Sequence, residues 1–260
     1  MKKFYITLAA LIAAAAVWNI FLYLNPDKGT PLNYLFNAFY ALIFLFGAVV
    51  ASRGHKKYLL FYSLALTSYS IGLFVWTFYN LVLKVEIPYP GTPDIFFVLF
   101  QLLLVIGFIL MVNDFGGRFK LRSIIEFLLV FGIIFGLLYS FLNLGRQDES
   151  LSILAKGLNF YYPMFDSILV ALAVAGIRTE MGSLHPILLV FAFASLTMAA
   201  ADTSFTYLAS AGSYWNGDIA DSLYAASGSL FAIGITYIVS SLAENNSGGG
   251  APLPKLPGNS

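Results

Sequence analysis

The chain has 260 residues, 59% of them hydrophobic and only 10% charged, with a formal net charge of +1 and no cysteine. A soluble domain carries about 25% charged residues, and a chain this apolar would leave hydrocarbon surface in water however it folded, so it is an integral membrane protein. The near-zero charge gives no basis for nucleic-acid binding, and the absence of thiols excludes disulfides, thiol catalysis and thiolate metal sites.

Long apolar runs and weak strand signals predict an all-α polytopic bundle rather than a barrel. Met1-Lys-Lys ahead of Phe4–Leu24 has the look of a signal peptide, but the run exceeds the roughly 7–15 residues of a signal core and is long enough to span. A retained first helix is expected; cleavage would leave seven spans. Asn25–Pro31 is a turn by composition, and a second span follows from about Leu32 to Ser52. The third, Tyr58–Leu83, carries Ser63, Thr67, Ser68, Ser70, Thr77 and Asn80, which suit close helix contact in a bilayer. Pro88, Pro90 and Pro93 break the chain before the fourth span, Ile95–Val112, with Asp94 placed in its first turn. The fifth is Ser123–Leu142, the sixth Leu158–Ile177, the seventh His185–Ala211 and the eighth Asp218–Leu242. Residues 1–243 therefore read as a membrane domain, and 244–260 as a Gly-, Pro- and Ser-rich flexible tail.

Eight spans put Lys2, Lys3, Arg53, Lys56, Lys57, Arg118, Lys120, Arg122, Arg178 and Lys255 on one side, and only Lys28, Lys84, Arg146 and Lys156 on the other. The positive-inside rule makes the first side cytoplasmic, with both termini inside, and the expected location is the cell membrane. His55 and His185 lack partners at metal-ligand spacing, so no metal site or cofactor is expected on them.

Against this topology the acids gather on the outer side. Asp94 opens span four; Asp218 and Asp221 open span eight; Asp166 and Asp202 fall near the middle of spans six and seven. Carboxylates are expensive in hydrocarbon, and no lysine or arginine lies in the outer half of a span to neutralise them. Asp94 and Asp218 also fit first-turn or capping acids. Asp166 and Asp202 are too deep for caps, leaving a structural hydrogen bond across helices or a functional pocket. Tyr89, Tyr161, Tyr162, Tyr207, Tyr214 and Tyr224 could donate hydrogen bonds to the acids, although Tyr207 and Trp215 equally suit an interfacial aromatic belt. Glu126, near the inner end of span five, is expected to pair with Arg122 or to snorkel. Pro163 in span six frees a backbone carbonyl near Asn159 and predicts a kink beside Asp166.

Three segments carry a resemblance: Ile87-Pro-Tyr-Pro-Gly-Thr-Pro-Asp94, Tyr162-Pro-Met-Phe-Asp166, and Ala201-Asp202 through Tyr207, Gly212, Tyr214, Gly217 and Asp221 to Tyr224. In this order they resemble the multi-spanning N-terminal membrane region of bacterial GGDEF and EAL proteins and of some membrane sensor kinases. Gly91 and Pro93 stand where that family usually has Ser and Ala. The resemblance covers about residues 87–240 and implies a sensory or ligand-binding module whose matched acids are Asp94, Asp166, Asp202 and Asp221. The segment after the last span is too short for a cytoplasmic output domain, so no cyclic-dinucleotide synthesis is expected of this chain.

The expected function is a membrane sensory module with an outward-facing pocket of Asp94, Asp166, Asp202, Asp221, Tyr162, Tyr207 and Tyr224, binding a small ligand or cation. It would signal by helix rearrangement, through a partner protein or as a homo-oligomer. A small ion or metabolite transporter is the alternative. An intramembrane aspartyl enzyme is a third, requiring Asp166 and Asp202 to lie close enough to share a proton. Motifs of serine or zinc hydrolases are absent, and no enzymatic activity is expected.

Overall fold

The computed structural model describes residues 2–85, 87–117, 120–146, 149–177 and 185–246. Eight α-helices run through them: α1 Lys2–Leu24, α2 Pro31–Ala51, α3 Lys57–Phe78, α4 Thr92–Asp114, α5 Leu121–Phe141, α6 Ile153–Ile177, α7 His185–Ser210 and α8 Ile219–Asn246. Each is long and apolar enough to cross a membrane, and no strand occurs among the described residues. The polytopic helical bundle expected from the apolar runs is the observed architecture. The loop at 178–184, Arg118, the His185 side chain and the tail from 247 lie outside the described residues.

The departures from the expected boundaries have local causes. α6 begins at Ile153, five residues before Leu158, because Ser152 caps it: its hydroxyl accepts the Ala155 N–H at 3.1 Å and its carbonyl accepts the Lys156 N–H at 3.0 Å. Lys156 and Gly157 made this first turn look like loop. The third span ends at Leu83 as expected, its last turn being a π-helical stretch, Tyr79–Leu83, closed by Lys84 in the left-handed region, φ 55°. α8 continues to Asn246, past Leu242 and into the segment assigned to the tail.

In a bilayer, helices gain little from leaving one apolar solvent for another, so packing and interhelical hydrogen bonds decide their arrangement. Both are visible here. Ring contacts knit the middle of the bundle: Phe44 stacks on Tyr69 at 4.3 Å, Tyr69 meets Phe100 at 4.7 Å, and Phe191 meets Tyr62 at 5.3 Å and Phe231 at 5.8 Å. These contacts join α2, α3, α4, α7 and α8. Small hydroxyls bridge backbones where helices approach: Ser63 to the Ala48 carbonyl, Ser70 to Ala41, Ser68 to Phe96 and Ser227 to Ala194, all at 2.8–3.0 Å. α5 is peripheral and packs on α6, with Ser123 its one buried residue.

The expected Arg122–Glu126 pair forms at 3.1 Å, and Lys56 meets Asp114 at 3.0 Å. Both lie at the end of the bundle opposite the α7–α8 turn. These exposed pairs contribute little to stability.

Candidate functional site

The α7–α8 turn is tied down from four sides. Asn216 sits at its centre, buried, with its side-chain oxygen accepting from Asn37 Nδ2 and Trp76 Nε1, both at 2.8 Å. Its backbone carbonyl accepts from Asn33 Nδ2 at 3.0 Å. The next carbonyl, that of Gly217, accepts from Asn19 Nδ2 at 2.9 Å. Asn19, on α1, also accepts the Ser222 hydroxyl at 2.9 Å. Trp215 packs on Tyr23, and the Lys28 ammonium lies 4.3 Å from a Trp215 ring centroid. One four-residue spacing, Asn33 to Asn37, puts two amides on the same face of α2 for this purpose.

The two acids that open α8 have different surroundings. Asp218 is the N-cap: its carboxylate accepts the Ala220 N–H at 2.8 Å and the Trp215 N–H at 3.3 Å. Burial holds its carboxyl above the usual range, while those two backbone donors pull the other way. Asp221 is fully enclosed and saturated. It accepts Tyr40 at 2.9 Å on one oxygen, and Tyr214 at 3.1 Å and the Gly217 N–H at 2.6 Å on the other. Burial, followed by the nearby Asp221 charge, raises the Tyr214 phenol well above its ordinary range.

Deeper in the bundle, Asp166 from the middle of α6 and Asp202 from the second half of α7 bring their carboxyl groups within hydrogen-bond reach of each other. Gln101, mid-way along α4, donates its Nε2 to Asp166 Oδ1 at 2.9 Å. Tyr224, one helical turn beyond Asp221 on α8, donates to Asp202 Oδ1 at 2.5 Å. A carboxyl–carboxyl hydrogen bond needs one proton between the two groups. Asp166 and Gln101 are 1% and 2% exposed, and neither Asp166 Oδ2 nor Gln101 Oε1 has a protein donor among the described residues.

Tyrosines link the remaining acids to this pair. Asp94, third residue of α4, accepts the Gly91 N–H at 2.7 Å as a helix-start acid and the Tyr162 hydroxyl at 2.7 Å as a bundle acid, so both readings of it hold together. Tyr162 lies within electrostatic reach of both Asp94 and Asp202. Tyr69, from α3, lies within that reach of Asp166, Asp202 and Asp221. Asp166, Asp202, Gln101 and Tyr224 thus meet directly, while the Asp94–Tyr162 pair and Asp221 form neighbouring hydrogen-bonded groups within electrostatic reach of them.

Tyr207 does not join them. It is exposed, with its ring 5.9 Å from Phe141, which is compatible with the aromatic-belt alternative that its sequence context also allowed. Tyr161 donates to the Val98 carbonyl and Tyr89 to Asn159, the residue whose carbonyl Pro163 releases from the helix ladder.

The chain matches no family model, no curated protein and no solved structure.

The charge pattern did not reveal Gln101, Tyr40, Tyr69, Asn33, Asn37, Trp76 and Asn216. A neutral amide in a span costs too little to interrupt an apolar run, so hydropathy passes over it. The available signals were the Asn33–Asn37 spacing and a lone glutamine near the centre of span four. Among the described residues, no three His, Asp or Glu groups come together as metal ligands. The arrangement can hold a proton or a small positively charged group between Asp166 and Asp202. Tyr224 and Gln101 fix the two carboxyls from opposite sides.

Proposed function

We propose that this chain is a membrane-embedded sensory module that reads a small cationic or polar ligand through its acid–tyrosine cluster. The observation that carries the reading is the meeting of Asp166, Asp202, Gln101 and Tyr224 on four different helices. A ligand that separates or joins two carboxyls on α6 and α7 changes how those helices pack, which is the differential interaction a two-state signal requires. The lysine and arginine asymmetry favours a cytoplasmic position for the end opposite the α7–α8 turn, in the cell membrane. The resemblance of residues 87–240 to the sensory membrane regions of GGDEF, EAL and kinase proteins favours signalling through a partner or a second copy.

The test is a pair of measurements on the full chain in liposomes. Spin labels at the α6 and α7 ends opposite the turn should report a distance change when bath pH or cation composition is altered, and Asp202→Asn should abolish it. Unchanged distances across all baths overturn the reading. Net transport of an ion or metabolite through the same liposomes replaces it with a transporter.

One feature favours a second reading: the hydrogen-bond reach of Asp166 and Asp202 is what an aspartyl dyad sharing a proton would need. Hydrolysis of a membrane-inserted peptide substrate that both Asp166→Asn and Asp202→Asn eliminate would establish it.

A further inference from the structure

We infer that Asp166, Asp202 and Gln101 form a binding site for one small monovalent cation, with Na⁺ as its probe. The inference rests on the sensory reading only for what binding would achieve, not for the site itself.

The first observation is the excess of acceptors. Two carboxyl groups and an amide carbonyl bring five oxygens into one neighbourhood in the middle of the bundle. Two protein donors serve them, Gln101 Nε2 on Asp166 and Tyr224 Oη on Asp202. The second, independent observation is that Gln101 Oε1 and Asp166 Oδ2 are buried with no protein donor among the described residues. Gln101 Oε1 belongs to the same planar amide that bonds Asp166, so it lies beside that bond and within the cluster. Buried polar atoms are almost always satisfied. A proton shared by the two carboxyls serves the pair itself; Gln101 Oε1 still calls for a donor or a cation, and a cation meets it together with the carboxyl oxygens.

Among the described residues, the helices around the pair place no lysine or arginine at its depth. α3, α4, α6, α7 and α8 contain only Lys57 and Lys156, both in first turns, and Lys156 precedes Asp166 by ten residues on the same helix, about 15 Å along its axis. The groups that face the pair from the surrounding helices are acids and phenols: Tyr69 from α3, Tyr162 from α6 with Asp94 behind it, and Tyr224 and Asp221 from α8. Each is neutral or negative, so the local field favours a cation throughout.

The ligand count argues for a monovalent ion. Calcium takes 6–8 oxygens, typically with several carboxylates. This site offers two carboxyl groups and one amide, and no third acidic or histidine ligand joins them among the described residues. A carboxyl pair that retains one shared proton carries a single negative charge, which one Na⁺ balances.

The test is the thermal unfolding of the purified full chain in detergent, in NaCl, LiCl, KCl or CaCl₂ against choline chloride at matched ionic strength. A saturable rise in Tm in at least one alkali chloride is expected for the wild type and for the surface control Tyr237→Phe. Asp166→Asn and Asp202→Asn should remove the dependence, and Gln101→Met should raise the half-saturating concentration by about tenfold or more. Identical curves in alkali and choline chlorides for the wild type overturn the inference without any variant. So does an alkali effect that survives in Asp202→Asn, or protection by Ca²⁺ alone. If a variant fails to fold, hydrogen exchange of wild-type α6 and α7 in NaCl against choline chloride decides: protection supports the site, and none overturns it. Saturable alkali protection without movement of the labelled helix ends overturns the sensory reading alone. Movement without alkali protection overturns the cation site alone.

Discussion

Asp166 and Asp202 approach within hydrogen-bond reach across the α6–α7 interface, near the middle of a bundle whose helices carry no cation at that depth. Two acceptor groups do not attract one another. Their approach requires a proton or cation to be shared between them, and Gln101 and Tyr224 fix the two carboxyls from either side.

An amide at either position supplies a built-in donor in place of the proton that a carboxyl pair has to share. Asp202→Asn should fold and lie within about 1 kcal/mol of the wild type in choline chloride, because its NH₂ can bond to Asp166. Asp202→Ala should lose about 1–3 kcal/mol, since it leaves the Tyr224 hydroxyl without its acceptor. Unfolding curves in detergent compare them directly. An Asn variant as unstable as the Ala variant would show that charge at residue 202, rather than hydrogen bonding, maintains the interface.

The α7–α8 turn depends on one amide oxygen. Asn216→Ala strands the Asn37 and Trp76 donors together, at about 1–3 kcal/mol for each buried group left unpaired. Trp76→Phe removes one donor and keeps most of the ring, so it should cost clearly less. Hydrogen exchange in residues 211–221 should accelerate in the first variant and stay near wild type in the second. Equal losses from both substitutions would mean that ring packing, including the Trp76–Phe205 contact at 5.7 Å, outweighs the hydrogen bonds.

The eight helices were legible in the sequence because each hydrophobic run is bounded by charge, glycine or proline. The start of α6 was not, because Lys156 and Gly157 masked a turn that Ser152 caps. The acids of the cluster were legible for an energetic reason: a carboxylate in a span is costly, so its presence stands out. Asp202 bonds Tyr224 and Asp94 bonds Tyr162, and both pairs lie within electrostatic reach of one another. Tyr207 shows the limit of this signal, since a tyrosine near a span end suits both a site and an aromatic belt, and the difference is which way the helix face turns. Gln101, Asn37 and Asn216 were not legible because amides are cheap to bury once paired, and pairing partners more than 60 residues apart in the chain leave no local pattern.

Asp218 should give the turn a pH dependence of defined sign. Its carboxyl lies above the usual range, chiefly because of burial. Folding therefore favours the protonated form. This contribution to stability is fully present below the unfolded pKa of about 3.9 and is lost as pH rises through the higher folded value. Asparagine is an equally good N-cap and does not titrate. The stability difference between Asp218→Asn and wild type should shift in favour of the variant as pH is raised from about 3.5 through the folded pKa, and then level off. A difference that does not change with pH would mean that the Ala220 and Trp215 amides fully offset burial of the carboxylate.

Gly217 is the backbone pivot of the same turn, and substitution there should separate local strain from general helix effects. Its φ is +98°, a region L side chains rarely adopt, and a Cβ would stand 2.6 Å from Leu22 Cδ1 and 3.3 Å from the Trp215 ring. Its N–H serves Asp221 and its carbonyl serves Asn19, so any backbone shift that relieves the strain loosens α1 and the α8 start together. Gly217→Ala should cost about 1–2 kcal/mol from the dihedral alone, with faster hydrogen exchange in the second half of α1 as its signature. Gly132→Ala is the matched comparison. It lies inside α5 with nothing within 4 Å of the added Cβ, and should be neutral or stabilising by up to about 1 kcal/mol. If both substitutions behave alike, the positive φ at residue 217 is not what holds the turn against α1.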